Sequence, residues 1–291
     1  MKILNFGSLN IDLFYHVERF ASAGETINST TYQKNIGGKG LNQSVALARA
    51  GAQVYHAGNV GQDGQFLVDF LQTVGVNTDL ISTAPLPSGN AVIQIDTRGE
   101  NCILLYGGAN HCVTEEQIDH VLAHFEAGDM VVLQNEINQM SEIITHAHQK
   151  GMTVVLNPSP FAGCAHLPLQ LVDYFIVNQH EAAQLAEQNE QEAMISTLLQ
   201  RFPRAKFVMT LGGDGSLYFD SATRHFQKPY PTNVVDTTGA GDTFTGFFFA
   251  ALSQGKPIPY AMELAAKAAS VTISQQGAAP SIPTLDTVLS L

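Results

Sequence analysis

Val234-Val235-Asp236-Thr237-Thr238-Gly239-Ala240-Gly241-Asp242-Thr243-Phe244 runs two apolar β-branched residues into a polar, glycine-bearing turn, and an apolar stretch to Leu252 follows. The pattern predicts a strand, a small-residue turn and a helix. A helix that begins this way leaves backbone N–H groups unpaired at its N-terminus, where the dipole favours an anion. Gly239, Ala240 and Gly241 carry almost no side chain, so a phosphate can approach the backbone closely. Asp242 falls in the first turn, where its ionised form is favoured and it can act as a base. An anion cradle beside a carboxylate suits phosphoryl transfer: amides hold the moving group while the carboxylate takes a hydroxyl proton. A plain turn with an acidic helix start would account for the same residues, so the rest of the chain has to decide.

Upstream, short apolar segments alternate with helical periods. Strands are expected at 130–133, 153–156, 174–177 and 207–210, and helices at 115–125, 140–150, 181–187 and 192–201. Strands as short and apolar as Met130-Val131-Val132-Leu133 are of the kind buried on both faces of a parallel sheet, with helices on both sides. Polar residues follow these strands repeatedly: Gln134-Asn135-Glu136, Asn157-Pro158, Asn178-Gln179-His180-Glu181 and Thr210-Leu211-Gly212-Gly213-Asp214-Gly215. Open α/β sheets bind ligands at those carboxyl ends, so the clusters point to one site. Downstream, 257–274 reads as an alanine-rich helix whose small face suits either close packing or an adenine slot.

The chain opens on a buried strand at 3–6, and Asn10 and Asp12 come just past its carboxyl end. From 13 to 36 the pattern is short and alternating, with Ile27, Thr30 to Tyr32 and Ile36 suggesting strands. A strand pair at 91–96 and 102–106 follows, joined by an Arg98-Gly99-Glu100 turn. Together these predict a small second sheet built from insertions at about 13–36 and 88–107. Gly37-Gly38-Lys39-Gly40 opens a helix to about Ala50, and its glycines let backbone approach a polyhydroxyl ligand. This is not a Walker A loop, which needs a different glycine-to-lysine spacing.

Two of these blocks carry a family resemblance. Asp236-Thr237-Thr238-Gly239-Ala240-Gly241-Asp242-Thr243-Phe244 resembles the C-terminal signature of the ribokinase-like carbohydrate kinases, the PfkB family. Gly37-Gly38-Lys39-Gly40-Leu41-Asn42-Gln43 through Gly58-Asn59-Val60-Gly61-Gln62-Asp63-Gly64 resembles its N-terminal signature. The resemblance extends over essentially the whole chain. It implies a single kinase domain over 1–291: an α/β fold with a central, mostly parallel sheet, helices on both faces, and a small β lid that covers the sugar and forms a homodimer contact. It implies Asp242 as base and Gly239, Ala240 and Gly241 as anion hole. Asn10, Asp12, Gly37, Gly38, Lys39, Asn42 and Glu136 match positions at the sugar. Asn178 and Glu181 match an Asn-x-x-Glu motif that helps place the metal and triphosphate, and a hydrated Mg²⁺ would have to bridge Glu181 to phosphate. Thr210, Gly212 and Gly215 match the nucleotide-binding strand end. Asp236, Thr238, Thr272, Gln275, Gly277 and Ser281 fall where potassium-dependent members hold K⁺.

The expected activity is transfer of the γ-phosphoryl group of ATP to a primary sugar hydroxyl. The nearest pattern within the family is that of the ribose kinases, on Asn10-x-Asp12, Gly37 to Asn42, Gly108-Ala109-Asn110 and Asn157-Pro158. A keto-sugar or nucleoside kinase, or a catalytically silent sensor, are the alternatives. A phosphosugar kinase fits less well, because the lid region 13–36 supplies only Arg19 and Lys34 to meet a second phosphate.

Composition sets limits on all of this. A chain of 291 residues, 45% hydrophobic and 14% charged, can bury one sizeable core. A net charge of −12 argues against nucleic acid and anionic membrane as partners. No apolar run approaches ~20 residues, and a strand starting at Ile3 leaves no room for a signal peptide. Cys102, Cys112 and Cys164 form no metal-binding pair and read as reduced thiols of a cytoplasmic protein. His120 and His124 share a helical face but lack a carboxylate motif, and read as surface histidines.

Overall fold

The computed structural model describes residues 1–291. The first half contains β1 (Ile3–Phe6), β2 (Asn10–Val17), β3 (Ser29–Gly37), α1 (Lys39–Arg49), β4 (Val54–Val60), α2 (Gln65–Thr73), β5 (Asn77–Thr83), β6 (Gly89–Ile95), β7 (Asn101–Tyr106) and α3 (Glu115–Leu122). Then come β8 (Met130–Gln134), α4 (Met140–Gln149), β9 (Thr153–Asn157), β10 (Tyr174–Asn178), α5 (Gln179–Ala186), α6 (Gln191–Arg201) and β11 (Lys206–Thr210). The chain finishes with β12 (Ser216–Phe219), β13 (Arg224–Gln227), α7 (Ala240–Ser253), α8 (Ile258–Thr272) and α9 (Leu285–Leu289).

A nine-stranded sheet runs β13-β12-β11-β10-β9-β8-β1-β4-β5, parallel from β11 to β5, with β12 and β13 added antiparallel at one edge. Each strand feeds two cores because successive side chains leave opposite faces. On β8, Val131 and Leu133 pack towards α3 to α6, while Met130 and Val132 pack towards α1, α2, α7 and α8. Phe175 and Val177 against Ile176 repeat the division on β10, and Phe207 and Met209 against Val208 repeat it on β11. Burial on both faces explains why these strands are short, unbroken apolar runs.

A second, four-stranded sheet runs β3-β2-β6-β7. The chain leaves β1 at Gly7, and by Asn10 it has entered the smaller sheet. Asn10 and Asp12 therefore sit on a strand and not in a loop after β1, with Asp12 paired opposite Asn35. The smaller sheet is wider than 13–36 and 88–107 suggested, since β2 starts at Asn10 and β3 ends at Gly37, while Ile27 lies outside both strands. Its outer strand β7 exposes Ile103, Leu104, Leu105 and Tyr106.

The opening stretch differs from its expected form in one respect. Val234 and Val235 form no strand; they are exposed by 62% and 63%. Their segment is extended but pairs with no sheet, and is held instead by Val235 and Asp236 amides donating to the Ile273 carbonyl at 2.8 and 3.2 Å. β-branching made the valines look like core, but Val234 lines the larger cavity and Val235 is simply exposed. The turn and helix are as expected: Gly239 caps α7 with φ 76°, a left-handed conformation that favours glycine, and Asp242 lies in the first turn.

Candidate active site

Two cavities meet at the N-terminus of α7. The larger, of 480 Å³, lies between the glycine turn after β11 and the small face of α8. The smaller, of 280 Å³, holds Lys39, Glu181 and Asp242 in its wall. Thr210, Thr237 and Gly241 line both, so the two spaces are continuous at the first turn of α7. Neither Gly239 nor Gly241 has an acceptor for its amide inside the protein, whereas Ala240 donates to the Thr237 carbonyl at 3.3 Å. The open end of a 14-residue helix thus faces the junction.

Asp242 is 6% exposed, and both of its carboxylate oxygens are held from α1. Asn42 Nδ2 donates to Oδ2 at 3.0 Å and Gln43 Nε2 donates to Oδ1 at 2.9 Å. Asn42 Oδ1 is buried without a partner, an acceptor that a ligand hydroxyl would satisfy. Beside it, Glu136 Oε2 accepts from the Lys39 amide at 3.1 Å and from the Ser8 hydroxyl.

The electrostatics of this corner are those of too many carboxylates around one ammonium. Burial would lower Lys39, but the charges of Asp242, Glu136 and Glu181 outweigh it and hold the ammonium above its usual range. Burial pushes the Asp12 carboxyl up to about 7, and the charge of Glu136 adds to the shift. Burial also raises Glu136, against the opposing pull of Lys39 and its hydrogen bonds. Such a corner welcomes hydroxyl donors. Its carboxylates are also the hard oxygen donors that a hydrated divalent ion takes.

Close backbone approach explains the glycines here. A side chain at Gly37 would collide with the Asp12 carboxylate. Gly38 has φ 95°, and a Cβ there would press on the Asn10 amide nitrogen at 2.9 Å and the Ser8 carbonyl oxygen at 3.0 Å. Asn10 itself does not aim a free side chain: its Oδ1 accepts from Asn110 Nδ2 at 2.7 Å.

On the other side, Thr210, Gly212, Gly215 and Gly241 all line the larger cavity, opposite Ala266 and Ala269 of α8. The small face of α8 is therefore a cavity wall there, while Ala261, Ala265 and Ala268 pack into the core. Asn178 and Glu181 line the smaller cavity instead, and they form a capping box on α5: Asn178 Oδ1 accepts from the Glu181 amide at 2.8 Å, and Glu181 Oε2 accepts from the Asn178 amide at 3.0 Å. That pairing is sufficient structural cause for the motif, and it also fixes where the carboxylate sits.

Behind the α7 turn, Asp236 ties two loops together. Its Oδ1 accepts from the Thr238 amide and hydroxyl at 2.9 and 2.7 Å, and its Oδ2 accepts from the Gly277 amide at 2.9 Å. Burial works against this carboxylate, and the three bonds outweigh it, holding it below its usual range. Ser281 closes the second loop onto the Gly277 carbonyl at 2.6 Å. Thr272 is buried with its hydroxyl on Thr243 at 3.0 Å, and Gln275 is exposed. Asp236, Thr238, Gly277 and Ser281 are thus brought together, while Thr272 and Gln275 bond each other, through the Gln275 amide and the Thr272 carbonyl at 3.2 Å, and do not join that cluster.

Gln43, Gln134, Ser8 and Asn110 belong to this corner; Gln43, Gln134 and Asn110 stand within motifs read from sequence but without a role of their own. The available signal was Asn42-Gln43-Ser44, consecutive polar residues in a helix with no amphipathic break. All three are buried, and buried polar groups require partners.

The fold and site together define a phosphotransferase of sugars. The profile of the pfkB family of carbohydrate kinases matches residues 1–285, and the chain belongs to that family. It is 36% identical to the ribokinase of Bacillus subtilis over 295 residues, covering 100% of this chain and 99% of the relative. Among solved structures, the ribokinase of Cryptococcus neoformans in complex with ADP aligns with a TM-score of 0.89 at 32% identity, covering 99% of each chain. The Arabidopsis thaliana ribokinase complexed with ribose and ATP aligns at 0.88 with 30% identity, covering 99% of this chain and 97% of that one.

Proposed function

We propose that the protein transfers the γ-phosphoryl group of ATP to the primary hydroxyl of ribose, giving ribose 5-phosphate. The observation that carries this is the junction: an apolar cavity and a carboxylate-rich one meet where Asp242 and the open amides of α7 stand together. The larger cavity takes the nucleotide, with adenine against Ala266 and Ala269 and the phosphates running past Gly212 towards Gly241. The smaller, walled by Lys39, Asn178, Glu181 and Asp242, takes the phosphates being transferred, and the sugar lies on the α1 side of Asp242, where its hydroxyls donate to Asp12 and Glu136 and find the open Asn42 Oδ1.

Asp242 removes the proton from the attacking hydroxyl, and the amides of Gly239 and Gly241 meet the charge that spreads over the phosphoryl oxygens. Lys39 neutralises the same region from the sugar side. Mg²⁺ bound with the triphosphate would offset charge between its oxygens, and Glu181 and Asn178 would hold it through its waters. K⁺ would rest on the carbonyls of the 236–238 and 275–281 loops. We read the chain as one kinase domain with an inserted lid, working in the cytoplasm with its cysteines free. The exposed apolar strand β7 supports pairing of two copies through the lid. No helix is long and apolar enough to cross a membrane.

Arg19 pairs with Glu25, and Lys34 lies over the Phe66 ring at 4.2 Å. Arg98, the third cation of the lid, pairs with Asp96 at 2.9 Å, and all three being occupied favours an unphosphorylated sugar over a phosphosugar. The test is coupled ADP release over ribose, deoxyribose, fructose, several aldoses and nucleosides. Ribose should give the highest kcat/KM; a nucleoside or fructose doing so overturns the assignment of ribose, and no turnover with any acceptor favours a silent sensor.

A further inference from the structure

The polar interior of α1 exceeds what contact with a sugar requires. Gln43 is fully buried, as are Asn5 on β1 and Gln134 at the end of β8. Gln43 Nε2 shares its two hydrogens between Asp242 Oδ1 at 2.9 Å and Asn157 Oδ1 at 3.3 Å. Its Oε1 is then left to accept from Gln134 Nε2 at 2.7 Å. Gln134 gives its other hydrogen to Asn5 Oδ1 at 2.9 Å, and Asn5 turns its own Nδ2 to the Gly40 carbonyl at 2.7 Å and the Ser44 hydroxyl oxygen at 2.8 Å.

The direction of this chain is fixed at both ends. The Gly40 carbonyl can only accept, so Asn5 must present Nδ2 to it and Oδ1 to Gln134. An ionised carboxylate at Asp242 likewise only accepts. One orientation of the three amides satisfies both ends, and turning any of them sets donor against donor or oxygen against oxygen. Gln134 Oε1 is buried without a partner, and a side chain at Gly7 would collide with it. An apolar residue at 134 would remove that orphan oxygen, but would strand Gln43 Oε1 and Asn5 Oδ1 in its place.

We propose that Gln43 is a positioning residue that holds the Asp242 carboxylate towards the cavity junction, and that Asn5 and Gln134 fix Gln43 in turn. Asn42 holds the other oxygen, but its own Oδ1 is unpartnered, so only Gln43 is locked from behind. The inference rests on Asp242 being the base. Lys39 from α1, Glu136 after β8 and Glu181 from α5 are the charged groups around Asp242, and substitutions at 43 and 134 alter none of them.

The test measures kcat and both KM values from about pH 5 to about pH 9 with ribose and MgATP, alongside melting temperature. Gln43→Glu puts a second carboxylate beside Asp242, so the acid limb of kcat should move up by about one pH unit or more. Gln134→Met keeps length and apolar fit but frees the Gln43 amide; kcat should fall about tenfold, the equivalent of one lost bond to a charged group, with both KM values unchanged. A folded Gln43→Glu with the wild-type acid limb, or a Gln134→Met with wild-type kcat, overturns the proposal. Should Gln43→Glu not fold, Gln43→Met decides: a fall in kcat at constant KM supports positioning, and unchanged kcat overturns it. Asp242→Asn is measured beside these, and near-full turnover there would refute the base itself, not the relay alone.

Discussion

The two sides of the α7 N-terminus are made of different materials. The sugar side is walled by charged and amide side chains, each held by others: Glu136 by Ser8 and Lys39, Asp242 by Asn42 and Gln43. The nucleotide side is walled by backbone and small residues, with Gly212 and Gly215 at φ 59° and 107° facing Ala266 and Ala269. One side recognises its ligand by where hydrogen-bonding groups are fixed. The other recognises by shape, and by the absence of side chains. Substitutions should therefore fail differently on the two sides.

Asp242→Asn bears on the junction itself and should have the largest effect. Turnover should fall by ~10²–10⁴, the contribution of a positioned general base. Both ligands should still bind, since the amide keeps the shape. Isothermal calorimetry with ribose and with ATP, run beside steady-state kinetics, checks both halves of that statement.

Asp12→Ala should break the sugar side alone. Losing hydrogen bonds to a charged acceptor costs about 1.5–3 kcal/mol, roughly ten- to hundredfold in ribose affinity, while ATP affinity stays as it was. The carboxyl also provides a pH signature. Its value near 7 in the folded protein lies well above an ordinary aspartate, so the acceptor form is complete above that pH and is lost as pH falls through it. Ribose affinity of the parent should therefore weaken below about pH 7, and Asp12→Asn should flatten that dependence. Equal ribose affinity at acid and alkaline pH would remove Asp12 from the site.

Ala269→Phe should break the other side. Filling the slot on α8 costs about 1–3 kcal/mol of overpacking, seen as a rise in KM for ATP, with ribose affinity unaltered. An equal rise in both KM values would mean that the two sides are not independent as their walls suggest.

How much of this was legible follows from the same contrast. The buried strands β8 to β11 announce themselves because apolar runs bounded by turns have few other uses. Glu136 and Lys39 took their roles from the family resemblance, while Asp242 was visible because a carboxylate that opens a helix after a small-residue turn demands a reason. Gln43 and Gln134 were not, because an amide shows its role only through the partner it faces, and that partner lies far along the chain. The two valines at 234 and 235 misled because an exposed β-branched pair, one of them lining a cavity, has the same composition as a strand. β13 was passed over because an edge strand that turns one face to solvent lacks a continuous apolar signal, and β12 because its buried apolar run Leu217-Tyr218-Phe219 is only three residues long.

The smallest effect expected is that of potassium, and it tests whether the junction is rigid by itself. Asp236 has both oxygens engaged by Thr238 and Gly277, so it is not a free ligand for a cation. Its work is to clamp the 236–238 segment to the 277 loop, which leaves backbone carbonyls as the groups that would meet a monovalent ion. An ion on those carbonyls lies behind the amides of Gly239 and Gly241, not against either substrate. It would order the anion hole before the sugar arrives, and so raise kcat more than affinity. Replacing sodium by potassium at constant ionic strength and saturating MgATP should raise kcat by a few-fold, because the larger ion suits loosely held carbonyls. Asp236→Ala should lose most of that response, since the two loops would no longer be tied. Should wild-type rates in matched sodium, potassium and caesium salts agree within error, the clamp alone orders the amides, and the loop is structural.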